Sequence, residues 1–142
     1  MQQVQIRIIA KDTGDKGEED ISMYAVGTME KNEYATVISY DETGEGMDGV
    51  KTQIGISENI VTLTRSGTVS STMVFEEGVV NASRIATPYG EMDVLMTPTS
   101  VNTQIKEKEL VCELQYDLVI GGEKINKSLL FKCSVFDDNI LN

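Results

Sequence analysis

Apolar and polar residues alternate with a period of two along most of this chain. Val4, Ile6, Ile8 and Ala10 alternate with Gln3, Gln5 and Arg7, the pattern of a strand with one buried face. The polar stretch 11–20, with Gly14 and Gly17, reads as a turn or exposed loop. Strands are expected over residues 21–29 and 33–40, joined near Lys31-Asn32. The acidic, Gly-rich segment 41–49 separates these from a fourth strand over 50–57, with Ile54 and Ile56 inward. A fifth places Val61, Leu63 and Arg65 on one face, and a sixth places Val69, Ser71, Met73 and Phe75 together.

Glu77-Gly78 turns the chain into residues 79–87. The corner Thr87-Pro88-Tyr89-Gly90 precedes a run through Met92, Val94 and Met96. Residues 98–107 are the one stretch expected to form a helical turn or a long connection. Two longer strands, about 108–120 and 123–136, form a hairpin around Gly121-Gly122. Roughly nine or ten strands separated by short turns make the chain all-β. Consecutive hairpins favour a single antiparallel up-and-down β-barrel, since closure removes exposed edges, with a sandwich as the alternative. The length of 142 residues suits one domain spanning residues 1–142.

The late hairpin puts Leu110, Cys112, Leu114, Tyr116, Leu118 and Ile120 on one face of its first strand. Ile125, Leu129, Phe131, Cys133 and Val135 share a face of the second. A loop over residues 121–124 would set Cys112 nearly opposite Cys133. A cross-strand disulfide is then conceivable, but a reducing compartment and apolar neighbours favour two buried free thiols.

Composition narrows the chemistry. The formal net charge is −11 and the pI about 4.3, a field that repels nucleic acid and anionic membrane surfaces. Histidine is absent, which removes imidazole bases, Ser-His and Cys-His pairs and His-containing zinc sites. No apolar run approaches the roughly 20 residues of a membrane-spanning helix. The first residues, Met1-Gln2-Gln3-Val4, lack a basic region followed by an apolar stretch, so a cytoplasmic location is expected. No cofactor or metal is expected: the carboxylates of segment 41–49 (Asp41, Glu42, Glu45 and Asp48) do not have EF-hand spacing. Asp41 and Glu42 are adjacent, so on a strand they point to opposite faces and form no catalytic dyad. The expectation is a non-enzymatic protein.

Arg65 is the candidate that stands out. A guanidinium facing a barrel interior needs a partner, and Glu42, then Asp41, at the end of the third strand, are placed to supply one. The pair either closes one end of the barrel or serves as an anion clamp for a carboxylate, the remaining alternative being that Arg65 is simply exposed on the surface. Tyr40, Met73, Phe75 and Tyr116 face inward by the same counting, as does Phe131, and they would line either a ligand cavity or a filled core. Arg65, Glu42, Tyr40, Met73, Phe75 and Tyr116 are therefore the candidate ligand-binding residues. Thr87-Pro88-Tyr89-Gly90 reads as a rigid corner.

An ordered series of short segments carries a family resemblance. It runs through Tyr40-Asp41-Glu42, the turn over 43–49, Thr52-Gln53-Ile54, Leu63-Thr64-Arg65-Ser66-Gly67 and Met73-Val74-Phe75-Glu76. It continues through Thr87-Pro88-Tyr89-Gly90 to Leu114-Gln115-Tyr116-Asp117-Leu118. In this order the chain resembles the YwiB-like family of bacterial proteins, a family of unknown function grouped with the calycin-like β-barrels. It departs from the family pattern at Asp41, where a glutamate is common, and at Ile85-Ala86, where relatives are more aromatic. The resemblance implies an up-and-down barrel related to lipocalins and fatty-acid-binding proteins. It implies no particular ligand, since fold alone confers none. Two readings follow: a binder of a small apolar or amphipathic anion, or a structural or protein-interaction domain with a filled core, such as a homodimer.

Overall fold

The computed structural model describes residues 1–14, 17–43 and 46–136, and within 12–21 the backbone only. Among these, ten antiparallel strands follow one another: β1 (Gln2–Gly14), β2 (Gly17–Lys31), β3 (Thr36–Asp41), β4 (Lys51–Ser57), β5 (Ile60–Ser66), β6 (Ser71–Phe75), β7 (Asn81–Thr87), β8 (Gly90–Ile105), β9 (Glu109–Ile120) and β10 (Glu123–Val135). Their order in the sheet is β6-β5-β4-β3-β2-β1-β10-β9-β8-β7. Each strand lies beside its neighbours in sequence, and β10 returns to β1. The sheet curls until β6 and β7 meet at a single bridge, Ser70 with Ala86. The result is an up-and-down, nearly closed barrel rather than a sandwich.

Alternation dictates which side chains go in. Along β4 burial alternates strictly at Thr52, Ile54 and Ile56, and along β6 at Ser71, Met73 and Phe75. The inner side chains form one apolar cluster through the barrel. Val4, Ile6, Ile38, Ile54, Val61, Phe75, Met96, Cys112 and Leu114 have 0% accessible surface. A side chain lining a void large enough for water would show surface to it, so the packing around these residues is solid. Phe75 meets Tyr116 edge-on, with ring centroids 5.1 Å apart at 73°, a favoured aromatic geometry.

Three expectations need correction. Residues 11–14 and 17–20 are strand: β1 and β2 stay in register out to Gly14↔Gly17, and β10 follows β1 to Asp12↔Lys127. Backbone pairing, on both sides at Lys11 and Asp12 and within the hairpin beyond them, overrides the polar composition there. Residues 98–105 are likewise strand, not helix or connection. β8 runs on through the β-branched Val101 and Thr103 after a bulge at Thr99, between Pro98 and Ser100. The β7–β8 ladder ends at Asn81↔Met96, short of Val101, and the Val101 amide donates instead to Glu77 Oε1 at 2.8 Å.

The cysteines are the third. Gly121 and Gly122, at φ +56° and +83°, form a two-residue turn of the kind that needs positive φ at both positions. The register is therefore shifted by two from a four-residue loop. Phe131 faces Cys112 and Leu110 faces Cys133. The two thiols are diagonal neighbours and both are free; diagonal pairs sit about 7–8 Å apart, beyond ordinary disulfide reach. Met92, in the run that begins β8, is exposed.

Candidate functional site

Most polar residues of the inner face gather at one end of β3–β6, with Thr36 alone at the other end of β3 among the described residues. Cross-strand register makes a row: Tyr40 opposite Thr52, Thr52 opposite Arg65, and Arg65 opposite Ser71. Tyr40, Thr52 and Ser71 are buried and Arg65 is half-buried. Glu42 lies just beyond β3, where its amide donates to Val50 O at 2.9 Å. This pulls the chain after Asp41 across the barrel end and leaves the Glu42 side chain only 3% exposed.

Two connections cover this end. Thr68 Oγ1 donates to Asp48 O at 3.0 Å, tying the β5–β6 turn to the β3–β4 loop. Gly67, at φ +119°, packs so closely on Gly49 that any Cβ would collide with the Gly49 carbonyl; both its conformation and its neighbour require glycine. Gly44 and Glu45, part of the acidic segment considered for cation binding, lie outside the described residues. Among the described residues, no three acidic or thiol groups converge as a metal site would need.

Glu42 is held mainly by a hydroxyl. Thr52 Oγ1 donates to Glu42 Oε1 at 2.6 Å, and the Tyr40 phenol lies close enough to feel the Glu42 carboxylate. Arg65 Nε stands 3.6 Å from the same oxygen, an ion contact rather than a hydrogen bond. That Nε is buried with no hydrogen-bond partner, while 27% of the Arg65 side chain is accessible. Arg65 thus has a neighbour of opposite charge but a donor still unmatched. Burial, then the Glu42 charge, push the Tyr40 phenol far above its ordinary range, against the opposing pull of Arg65. Tyr40 is a neutral donor at any physiological pH.

The structure therefore brings Arg65, Glu42 and Tyr40 together, and pairs Arg65 with Glu42 rather than with the exposed Asp41. Met73 lies in register with Leu63, below Arg65. Phe75 and Tyr116 are elsewhere, packed on each other, and Phe75 is fully buried in the core. Thr52 was not among the candidates. Its signal was a polar residue at an inward position two before Ile54.

Replacing Arg65 by methionine strands a buried carboxylate. We expect a loss of about 1–2 kcal/mol, discounted for the partial exposure of the pair. Adding Glu42→Gln should recover most of it. Urea melts of both single variants and the double variant read this as a coupling energy; purely additive losses would show that the contact carries nothing.

Comparisons with known proteins agree with this architecture. A family model described as a domain of unknown function (DUF1934) matches residues 4–130. The uncharacterized β-barrel protein YwiB of Bacillus subtilis (strain 168) is 24% identical over 119 residues, 84% of this chain and 82% of that protein. The crystal structure of the ywiB protein from Bacillus subtilis superimposes with a TM-score of 0.87 at 19% identity, covering 96% of this chain and 93% of that one. The YwiB-like resemblance seen in the residues is thereby shown. At this identity the structural likeness establishes the barrel fold and nothing finer.

Proposed function

The chain belongs to the DUF1934 family of domains of unknown function, and on that premise we propose that it is a non-enzymatic binding module for a small amphipathic carboxylate. The ligand sits at the Arg65 end of the barrel, not deep inside it. One observation carries the reading: the buried, unpartnered Nε of a partly accessible Arg65. An unmatched buried donor costs about 1–3 kcal/mol, which a ligand oxygen would offset once the accessible guanidinium turned to meet it, since Nε itself has no exposed surface. Guanidinium groups also suit carboxylates geometrically. Thr52 bonds Glu42 and Tyr40 lies close to it, so Glu42 only partly satisfies the arginine. Ser71, opposite Arg65, would be the neighbouring hydroxyl. The ligand's apolar part would rest on Met73, while fully buried Phe75 takes no part.

A second reading, an interaction domain, is favoured by one feature of the outer wall. Ala82, Leu95 and Val119 lie in register across β7–β9, and Leu95 and Val119 are well exposed. They line a shallow groove of about 450 Å³ with Arg84 and Asp93 at its edge.

Native mass spectrometry of the purified protein separates the two. A carboxylic acid retained by the wild type and absent from the Arg65→Met/Glu42→Gln variant supports the binder. Protein free of ligand counts against it, and a ligand-free dimer points to the outer face.

A further inference from the structure

Continuous ladders join all neighbouring strands of this barrel except β6 and β7, which share only the Ser70–Ala86 bridge among the described residues. In that bridge each amide donates to the other residue's carbonyl at 2.9 Å. Beyond it, side chains substitute for the missing ladder. Ser83 Oγ donates to Thr72 O at 2.7 Å, and the Val74 amide donates to Asn81 Oδ1 at 3.1 Å. At the foot of the seam the β6–β7 loop skips β7 and fastens to the β8 bulge. There Gly78 N donates to Pro98 O at 2.9 Å, and Glu77 accepts from Val101 N.

We propose that the β6–β7 seam is the part of the wall that opens reversibly, with Asn81 and Ser83 as the side chains that hold it shut. A laddered pair can open only by breaking a long run of cooperative backbone bonds. The β1–β2 register, for example, runs unbroken from Gln2↔Met29 to Gly14↔Gly17. Above its foot the seam has one bridge and two side-chain bonds to break, besides the Phe75–Tyr116 packing that spans it. Local opening is easiest where backbone pairing is sparsest. Its opening bares the edge of β6, the strand that carries Met73 and Phe75 inward, and so offers a route to the apolar interior. The inference does not depend on the Arg65 site, and its test uses no ligand.

The test is native-state amide hydrogen exchange. In the wild type, the amides of Ser70, Val74 and Ala86 should exchange together and faster than those of β1 and β9. In the Asn81→Ala/Ser83→Ala variant, Ser70 and Ala86, whose own partners are untouched, should speed up with Val74 by at least about tenfold, the size expected for two lost hydrogen bonds. Amides of β1 and β9 should not change. Acceleration confined to Val74 would overturn the proposal, because it would report only the lost acceptor. A uniform rise, or none, would overturn it too.

A staple tests the same opening in a variant that keeps both side chains. A mutually bonded antiparallel pair has Cα atoms about 5.5 Å apart, within disulfide reach. Oxidised Ser70→Cys/Ala86→Cys protein should therefore slow Val74 exchange by at least about tenfold relative to its reduced form. Equal rates in the two forms would refute the opening even if the alanine variant fails to fold.

Discussion

Phe75→Ala is expected to lower the unfolding free energy by about 3–5 kcal/mol, the usual cost of removing a fully buried aromatic side chain. Phe75 has no accessible surface, stands opposite Val61 and packs edge-on against Tyr116. Those two neighbours belong to strands on opposite sides of the seam. The inner wall around it is dense, so it would collapse only partly, and the cavity adds to the lost transfer energy. Urea denaturation with an unchanged m-value would check the figure. A loss below about 1 kcal/mol would mean that the core around Phe75 is loose, and the solid-interior reading would fail with it.

The second large effect is alkaline. Burial pushes the Cys112 thiol up to about 12, with the nearby Cys133 charge adding to it, and burial alone pushes Cys133 up to about 12. An unfolded thiol ionises near 9.0. Below that pH both states hold the proton, and the thiols contribute their full stability. Above it the unfolded chain releases a proton that the barrel retains, so stability falls as pH rises towards about 12. Each thiol contributes a slope of about 1.4 kcal/mol per pH unit inside that window. Tyr40, also raised, steepens the fall once the unfolded phenol begins to ionise near 10.0. Denaturant melts between pH 8 and 11 should show the decline, and Cys133→Ala should flatten it while costing stability at neutral pH. A stability profile flat to pH 11 would contradict the burial of these groups.

What the sequence made legible follows the physics of alternation. Ile54 and Ile56, or Met73 and Phe75, announce their face because burial on one side of a strand has a period of two. Arg65 was findable because a charge at an inward position is anomalous, and Glu42 because the third strand ends beside it. Thr52 carried the same kind of signal more faintly, since an inward threonine costs little when bonded. Other features had no local signature. Lys11 to Gly14 and Gly17 to Asp20 look like loop residues, yet β10 and the hairpin itself supply their pairing. The cysteine register turned on whether Gly121-Gly122 alone makes the turn, a two-residue question that no periodicity answers. The seam was invisible as well. Nothing in Asn81 or Ser83 says that their side chains stand in for backbone, because that role depends on where a ten-stranded sheet runs out of ladder.

The functional reading rests on the proposed binding of a carboxylate by the unmatched arginine at one end of a barrel whose middle is packed solid. Titration of isotopically labelled protein with octanoate, followed by NMR, tests it most directly. The account predicts saturable shifts of the Arg65 side-chain N–H and the Thr52 and Ser71 amides, while the methyl signals of Ile38 and Ile54, which have no accessible surface, stay in place. Signals at Arg65 that do not move, or shifts centred on Ile38 and Ile54, would contradict it.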